Sequence, residues 1–447
     1  MSHAGRRLVL LGAALSGVLL VAVLGVVLPA EQVPSRPPVP VSGTTQLVCP
    51  VPEDEEADLA VTAAGPLDGV GLTTLDGAPV PTEETDGVLT ARLPGTAVLT
   101  AEGDAAGSVA GVVTRAGDGG ADPGLTQVAC QPAGATSWLV GLRGGEDQQA
   151  AVVLTNPDER QAVVNLTVRD EEGLRQVPGS RDLAVAPRST VVVDLGPLLT
   201  PAGAMAVQVQ TTTGRVTALG RQRSFRDGTA TSSEWLTGTP EPATSAVLPG
   251  VPGGDGPRRL VLVNPGERRA QVRVEALGAA APFVPAGVEG EVDVPPGGTA
   301  TVTLDEGFSE DATALRVTGS QPVAATLLAG TPDGDLAVVP GAGPVGDSAV
   351  GVAASDRDGL LVLSNAGDVP AVVQVLPLSG QGAGEQVTVA PGTSLSLTGE
   401  GLGRVEVTSG AVHGAVVLRR DGLSTAPLLP TGAEQRLRAP LEDPHLW

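Results

Sequence analysis

Short stretches of strictly alternating hydrophobic and polar residues recur along most of this chain. In the segment QVRVEAL, Val272, Val274 and Ala276 fall on one face, and the polar residues between them fall on the other. The same alternation places these further pairs on one face: Val292 and Val294, Val302 and Leu304, Leu315 and Val317, and Val405 and Val407. A period of two over short segments is typical of β-strands with one buried and one solvated face. The pattern therefore predicts an all-β protein.

Three segments of the chain align as copies of one unit. They open with AAVVLTNPDERQAVVNLTVRD, RRLVLVNPGERRAQVRVEALG and DGLLVLSNAGDVPAVVQVLPL, and their shared residues Asn156, Asn264 and Asn365 are spaced by 108 and 101 positions. About seven short strands in some 100 residues, separated by Gly, Pro, Asn and Asp, favour tandem immunoglobulin-like β-sandwich repeats. A β-propeller, with the same strands grouped in four-stranded blades, is the alternative.

Each unit continues through a Pro-containing turn, a strand pair and an Asp-Gly turn to a closing Pro, at Pro249, Pro340 and Pro430. These landmarks place β repeats 1, 2 and 3 at residues 131–249, 250–340 and 341–430, with a polar tail at 431–447. Residues 47–130 carry weaker forms of the same turns and are interpreted as a degenerate fourth copy. The shared Asn is interpreted as structural, because Asn ends a strand and its side chain caps the turn that follows.

The amino terminus carries a hydrophobic segment of membrane-spanning length. Arg6 and Arg7 precede an uncharged run at residues 8–28, which would span about 31 Å as a helix, close to a bilayer core of roughly 30 Å. The arginines should stay in the cytoplasm. Residues 1–28 are therefore expected to be a cytoplasmic stub and an uncleaved transmembrane signal-anchor, with the rest of the chain extracytoplasmic. The alternative is a cleaved signal peptide and a secreted protein.

The segment after the anchor, residues 29–46, is rich in proline and is interpreted as a linker. The two cysteines that follow, Cys49 and Cys130, both lie on the expected outer side. An even cysteine count in an oxidising compartment predicts a disulfide between them, which would close the degenerate repeat. Neither cysteine has a nearby CxxC or His that would indicate a metal site.

The charge and composition of the chain limit its partners. The formal net charge is −23, and such an acidic protein repels phosphate backbones, so nucleic-acid binding is not expected. All 27 basic residues are Arg and aromatic residues are scarce. The cores must therefore be built largely from Val, Leu and Ala. Trp138 and Trp235 are expected to plug domain ends or junctions.

Residues with catalytic chemistry are few. The chain has three histidines: His3 on the cytoplasmic side, His445 in the tail, and His413 at a strand position where the sister repeats carry Thr217 and Ala324 or Ala325. None of the common hydrolase, metalloprotease or nucleotide-binding motifs is present. The acidic runs at residues 53–56 and 170–172 are interpreted as solvated turns. We therefore expect no catalytic residues, no cofactor and no metal ligands, and a protein that is not an enzyme.

The N-terminal anchor, the Pro-rich spacer, the cysteine pair and the repeated strings LxLxNP, VxVPPGGT and VxVTSxxPVAA together resemble an uncharacterised family of actinobacterial membrane-anchored secreted proteins. The resemblance implies tandem β repeats outside the membrane and carries over no catalytic residues. The expected function is a structural or interaction component of a bacterial cell envelope that contacts a wall polymer or another envelope protein. The alternative is a carbohydrate-binding or carbohydrate-modifying ectodomain that uses carboxylates.

Overall fold

The computed structural model describes residues 43–53, 55–63, 66–117, 122–196, 203–304, 308, 311–346, 348–350, 359–377, 384–399, 403–419 and 422–431. The expected anchor at residues 8–28, most of the linker and nearly all of the tail lie outside this part of the chain. Within it, the strands form successive sheets, and a short 3-10 turn lies at Gly103–Ala105. No helix in these ranges is long and apolar enough to cross a membrane. The protein is all-β, as the alternation predicts.

The first pair of sheets contains nine strands, and the cysteines lie at its two ends. Its strands are β1 (Thr45–Cys49), β2 (Ala57–Thr62), β3 (Val70–Thr74), β4 (Glu83–Thr85), β5 (Val88–Leu93), β6 (Ala97–Ala101), β7 (Ala110–Gly117), β8 (Gly124–Ala129) and β9 (Gln131–Pro132). One sheet has the order β3-β6-β1-β9 and the other β4-β5-β2-β7-β8. Cys49 and Cys130 form the predicted disulfide, which ties the end of β1 to the segment after β8.

The second pair of sheets has the same interleaved order. Its strands are β10 (Thr136–Arg143), β11 (Gln148–Asn156), β12 (Ala162–Asp170), β13 (Gly173–Arg175), β14 (Leu183–Val185), β15 (Ser189–Asp194), β16 (Ala204–Thr213), β17 (Thr217–Arg226) and β18 (Thr229–Leu236). One sheet runs β10-β16-β12-β13, with β14 also on β12, and the other runs β15-β11-β17-β18.

The third pair differs in one respect, because a single long strand belongs to both sheets. Its strands are β19 (Ala243–Val251), β20 (Arg258–Val263), β21 (Ala270–Leu277), β22 (Pro282–Phe283), β23 (Val292–Val294), β24 (Thr299–Thr303), β25 (Thr313–Gly330) and β26 (Leu336–Pro340). The first half of β25 pairs with β19 and β21, and its second half pairs with β20 and β26. The sequence boundary expected at 249/250 falls inside β19, which pairs with the strands that follow it.

The fourth pair has the order of the first, except that its fourth strand pairs with the third strand and not with the fifth. Its strands are β27 (Ser348–Val350), β28 (Gly359–Asn365), β29 (Ala371–Pro377), β30 (Glu385–Val389), β31 (Thr393–Gly399), β32 (Gly403–Ser409), β33 (His413–Leu418), β34 (Ser424–Pro427) and β35 (Leu429–Thr431). The sheets run β30-β29-β32-β27-β35 and β31-β28-β33-β34. In the first and fourth pairs, a short strand after the last long one returns beside the first strand, as β9 beside β1 and β35 beside β27.

The alternation seen in the sequence corresponds to burial in the sheets. In β21, Val272 and Val274 are fully buried, whereas Gln271 and Arg273 are exposed. Strands β11 and β20 are instead buried on both faces along most of their length. One face of such a strand packs in the core of its own sheet pair, and the other must be covered by a neighbouring pair.

The four sheet pairs close into a ring, in which each pair contacts the next and the fourth contacts the first. The core of the second pair is continuous with Val261 and Leu328 of the third. Thr425 Oγ1 of the fourth pair donates to the Gly250 carbonyl of the third at 3.2 Å. The Gln127 N–H of the first pair donates to Ser424 Oγ of the fourth at 2.9 Å. The ring therefore brings together residues 297 positions apart.

Candidate functional site

One strand from each sheet pair contributes to a common contact region in the ring. Strand β8 lies against β18 and β34, and β26 lies against the same two strands. The side chains at this meeting point include three carboxylates, Asp122, Glu234 and Asp335, which we call the central cluster. Three arginines, Arg115, Arg221 and Arg223, lie beside them.

Asp122 is the anionic partner of two arginines from the neighbouring sheet pair. Arg223 donates to it through Nε at 2.7 Å and Nη2 at 2.9 Å, and Arg221 donates through Nη2. Burial alone would raise the pKa of the Asp122 carboxyl, but the hydrogen bonds from Arg223 and Arg221 outweigh it and hold that pKa well below its usual range. Asp122 is therefore ionised and joins the first and second sheet pairs.

Asp335 links three sheet pairs through backbone hydrogen bonds. Its Oδ2 accepts from the Leu423 N–H at 2.8 Å and from the Leu125 N–H at 3.5 Å, and Oδ1 accepts from its neighbour Leu336. Gly124 and Gly422 have φ values of +100° and +143°, and a Cβ built on either would lie about 2.5 Å from this carboxylate. Both positions therefore require glycine. Burial raises the pKa of Asp335 in spite of the backbone donors.

Glu234 is the most enclosed carboxylate of the cluster, with 2% of its surface exposed. Its Oε1 accepts from the adjacent Trp235 N–H at 3.0 Å, and the Ser424 hydroxyl of the fourth sheet pair also interacts with the carboxyl group. Burial raises the pKa of Glu234 well above its ordinary value, and the charge of Asp335 acts in the same direction against that of Arg115. The neutral form of Glu234 is therefore favoured more strongly than that of a carboxyl group in water.

The acidic runs expected to be solvated turns are only partly so. Glu55 pairs with the nearly buried Arg115 at 3.1 Å, and burial raises the pKa of Glu55. Asp170 is 6% exposed and pairs with Arg175 at 2.8 Å, whereas Glu172 in the same turn is open to solvent. The prediction was wrong for Glu55 and Asp170, because each faces an arginine that shields it from water.

The shared asparagines have the structural role expected of them. In Asn264, Nδ2 donates to the carbonyls of Arg268 at 2.7 Å and Val294 at 3.3 Å, and Oδ1 accepts from the Gly266 N–H at 3.0 Å. The same three kinds of bond recur at Asn156 and Asn365. All three side chains are at most 1% exposed, so they close turns and offer nothing to a ligand.

His413 begins β33 at the position that Thr217 and Ala324 occupy in β17 and β25. Each pairs with the residue just before a shared asparagine. The His413 Nδ1 lies 3.1 Å from the Ala342 carbonyl, as Thr217 Oγ1 lies 3.4 Å from the Gln131 carbonyl. Burial lowers the pKa of His413, and Nδ1 is the donor because a carbonyl oxygen can only accept. His3 and His445 lie outside the described residues.

A cavity of 370 Å³ opens beside His413, where the segments that join the second, third and fourth sheet pairs run close together. Its walls are mainly small side chains, including Ala324, Ala342 and Ala366, and its polar side chains include Glu241 and His413. Within the described part of the chain, no group of three His, Cys, Asp or Glu side chains could hold a metal ion.

The two described tryptophans lie at contacts between sheet pairs, as expected. Trp138 is 3% exposed in a core that includes residues of the third pair, and its Nε1 donates to Glu241 at 3.1 Å. Trp235 is 7% exposed and packs with residues of the first pair. Neither presents a ring to solvent.

The fold and its sites define an all-β protein of paired sheets arranged in a ring around buried ion pairs. A family of unknown function (DUF5719) matches residues 82–400, well over half of the chain. The chain belongs to this family. A search of curated protein sequences finds no match. The resemblance drawn from the sequence is therefore confirmed as far as an uncharacterised family.

Sequence reasoning missed the central cluster. Glu234 and Asp335 are single acidic residues near or inside short strands, and their spacing matches no motif. A usable signal was the presence of strands that are apolar on both faces, such as β11 and β20, because these predict contact between sheet pairs.

Proposed function

We propose that this chain is a non-enzymatic, membrane-anchored component of a bacterial cell envelope, whose extracytoplasmic part is a rigid ring of four immunoglobulin-like sandwiches. The proposal rests on one observation: the buried carboxylates form hydrogen bonds between sheet pairs. Asp122 accepts hydrogen bonds from an arginine of the neighbouring sheet pair, and Asp335 accepts one from a backbone N–H of another pair. Such bonds fix one sheet pair against another, which is what a scaffold requires.

The strand order supports sandwiches over propeller blades. In a blade, four consecutive strands are neighbours in one sheet. Here the first strands of a pair are divided between two sheets, so that β10 and β12 lie in one sheet and β11 in the other. This interleaving recurs in the other sheet pairs with variations and supports Greek-key sandwiches.

Placement outside the cytoplasm is supported by the disulfide and by the N-terminal sequence. Cys49 and Cys130 are bonded and buried, and disulfides persist in oxidising compartments. The hydrophobic run at residues 8–28 would supply the anchor.

The surface favours binding of a polymer or protein over stacking on sugars. Both described tryptophans are buried, whereas carbohydrate sites commonly present exposed aromatic rings. The partner is therefore a wall polymer or another envelope protein that contacts the polar outer faces and loops of the ring.

A pull-down tests the proposal directly. The full chain in detergent is immobilised and exposed to purified wall glycans and to solubilised envelope proteins, with a detergent-only column as the control. Saturable retention of one polymer or protein, with the polymer recovered intact, is the expected result. Glycan hydrolysis that disappears in Glu234→Gln or Asp335→Asn would overturn the non-enzymatic assignment in favour of a carbohydrate-modifying ectodomain.

A second experiment tests the placement. Intact spheroplasts are treated with an external protease, and the full chain is followed by antibody. Digestion of the chain down to a membrane-retained N-terminal fragment is expected. Complete protection would contradict an extracytoplasmic ring, and release of undegraded protein into the medium before treatment would contradict the anchor.

A further inference from the structure

The cavity beside His413 has a filled counterpart elsewhere in the ring. Val247 and Trp138 occupy equivalent positions, because each forms a lone β-bridge with the segment that closes its own sheet pair. The Thr239 N–H donates to the Trp138 carbonyl, and the Ala342 N–H donates to the Val247 carbonyl, each at 2.8 Å. Their cross-strand partners are also equivalent, Gln208 beside Trp138 and Arg316 beside Val247.

The space next to these two positions is occupied in different ways. Beside β10 it holds the Trp138 indole, with the Arg169 guanidinium carbon 5.4 Å from the ring centroid. In the third pair the corresponding residues are Val247 and Leu277, which have neither a ring nor a charge. The 370 Å³ cavity lies at this position, with Val247 in its wall. An aromatic ring fills the equivalent site and is missing here, whereas a cation is retained nearby, because Arg316 donates to the carbonyl of the wall residue Ala366 at 3.0 Å.

The polar lining of the cavity suits a hydrogen-bond donor or a cation. No arginine is among its lining residues, and Glu241 supplies a negative charge at an exposed position. The His413 ring is directed to the backbone of Ala342 and Gly343, so Glu241 is the side chain that sets the charge preference of the cavity. The strongly acidic chain adds a long-range attraction for cations.

We propose that this cavity binds a small aromatic amine, with the ring against Val247 and the alanine walls and the ammonium group directed to Glu241. The size of the cavity is within the range of small-molecule sites, which are mainly apolar with a few polar groups that set orientation. The site goes beyond the proposed scaffold function, because it would give the ring a small-molecule ligand in addition to its envelope partner.

The test uses three indole compounds that differ only in the group at the end of a two-carbon chain. Tryptamine carries an ammonium, tryptophol a hydroxyl and indole-3-propionate a carboxylate. Titration calorimetry on the full chain in detergent should show saturable binding of tryptamine, several-fold weaker binding of tryptophol and no binding of the acid. Failure of tryptamine to bind, or equal binding of the acid, overturns the proposal.

Two variants locate the site. Val247→Trp fills the cavity with the residue of the sister position and should abolish binding of both tryptamine and tryptophol. Val192→Trp, at an exposed position of β15, is the matched control and should bind as the parent does. Glu241→Gln keeps the shape and should lower tryptamine affinity to that of tryptophol, whose own affinity stays unchanged.

Each variant is first checked for a parental thermal transition. If Val247→Trp does not fold, the Glu241→Gln comparison decides the result by itself. Tryptamine binding that is unchanged in Glu241→Gln overturns the proposal, as does binding that survives in a folded Val247→Trp chain.

Discussion

Glu234 and Asp122 belong to the same central cluster, yet their surroundings shift their pKa values in opposite directions. Burial without a strong cationic partner raises the pKa of Glu234, whereas two arginine hydrogen bonds outweigh burial at Asp122 and lower its pKa. Each unit of difference between folded and unfolded pKa corresponds to about 1.4 kcal/mol of stability. The two residues should therefore affect stability in different pH ranges.

We expect Glu234→Gln to flatten the loss of stability that accompanies a rise in pH above the usual carboxyl pKa. The raised pKa means that the stabilising contribution of Glu234 is complete below the usual carboxyl pKa and is lost as pH rises toward the folded-state value. The facing groups are Asp335 and Arg115, and neither changes in this variant. Thermal melts from pH 5 to 9 should show Tm falling less in Glu234→Gln than in the parent. Parallel curves would contradict a raised pKa for Glu234 in the folded protein.

Asp122→Asn should destabilise the protein by about 3 kcal/mol at neutral pH, because it leaves the partly buried Arg221 and Arg223 without their counter-charge. The contribution of Asp122 is present above the usual carboxyl pKa and is lost as pH falls below it. The matched control is Asp58→Asn, which breaks an exposed pair with Arg92 and should cost about 1 kcal/mol or less. Urea unfolding measures both, and equal losses would contradict a structural role for the cluster.

At the scale of the single element, the turn after each first long strand depends on its asparagine. Asn264→Ala removes three hydrogen bonds and leaves buried carbonyls without a donor, which should cost about 3 kcal/mol. Asn165→Ala removes the acceptor of one exposed hydrogen bond, which the Asp182 N–H donates, and should cost about 1 kcal/mol or less. Denaturant midpoints compare the two. A small loss at Asn264 would mean that the turn closes without it.

The strands themselves could be predicted from the sequence because their burial follows a local pattern. Alternation identified β21 and the first half of β25, and the shared asparagine identified three equivalent turns. The boundaries between the repeats were harder to predict from the sequence. The segment that ends at Pro249 looks like a closing strand, yet β19 pairs with β25, since strand partners are set by packing at long range.

The central cluster and the cavity could not be predicted from the sequence for a related reason. Asp335 and Leu423 are far apart in sequence, and only closure of the ring brings the carboxylate to that backbone N–H. The cavity depends on the difference between Val247 and Trp138, which is visible once their β-bridges show that the positions are equivalent.

At the scale of the whole molecule, closure distinguishes a ring from a string of tandem domains. The contact between Gln127 and Ser424 joins the first and fourth sheet pairs, and Leu125 packs in the core of the fourth. A ring holds its outer faces in fixed relation to one another, which is the property that a scaffold in the envelope would use.

Closure is tested most directly by a distance between spin labels on the first and fourth sheet pairs. Ala116 pairs with Leu125, and a Cβ built on Gly422 would lie 2.6 Å from the Leu125 Cβ. Arg419 is only three residues before Gly422, so the Cα atoms of Ala116 and Arg419 should be within about 25 Å. Both labelled positions are exposed.

Nitroxides are attached to Ala116→Cys and Arg419→Cys in the full chain with its disulfide kept oxidised, and each single variant serves as a control. Double electron–electron resonance should give a narrow distribution below roughly 40 Å, once the label arms are added to the Cα separation. In an open string, two sheet pairs would separate the labels by about 70 Å or more. A broad distribution centred there would contradict the closed ring.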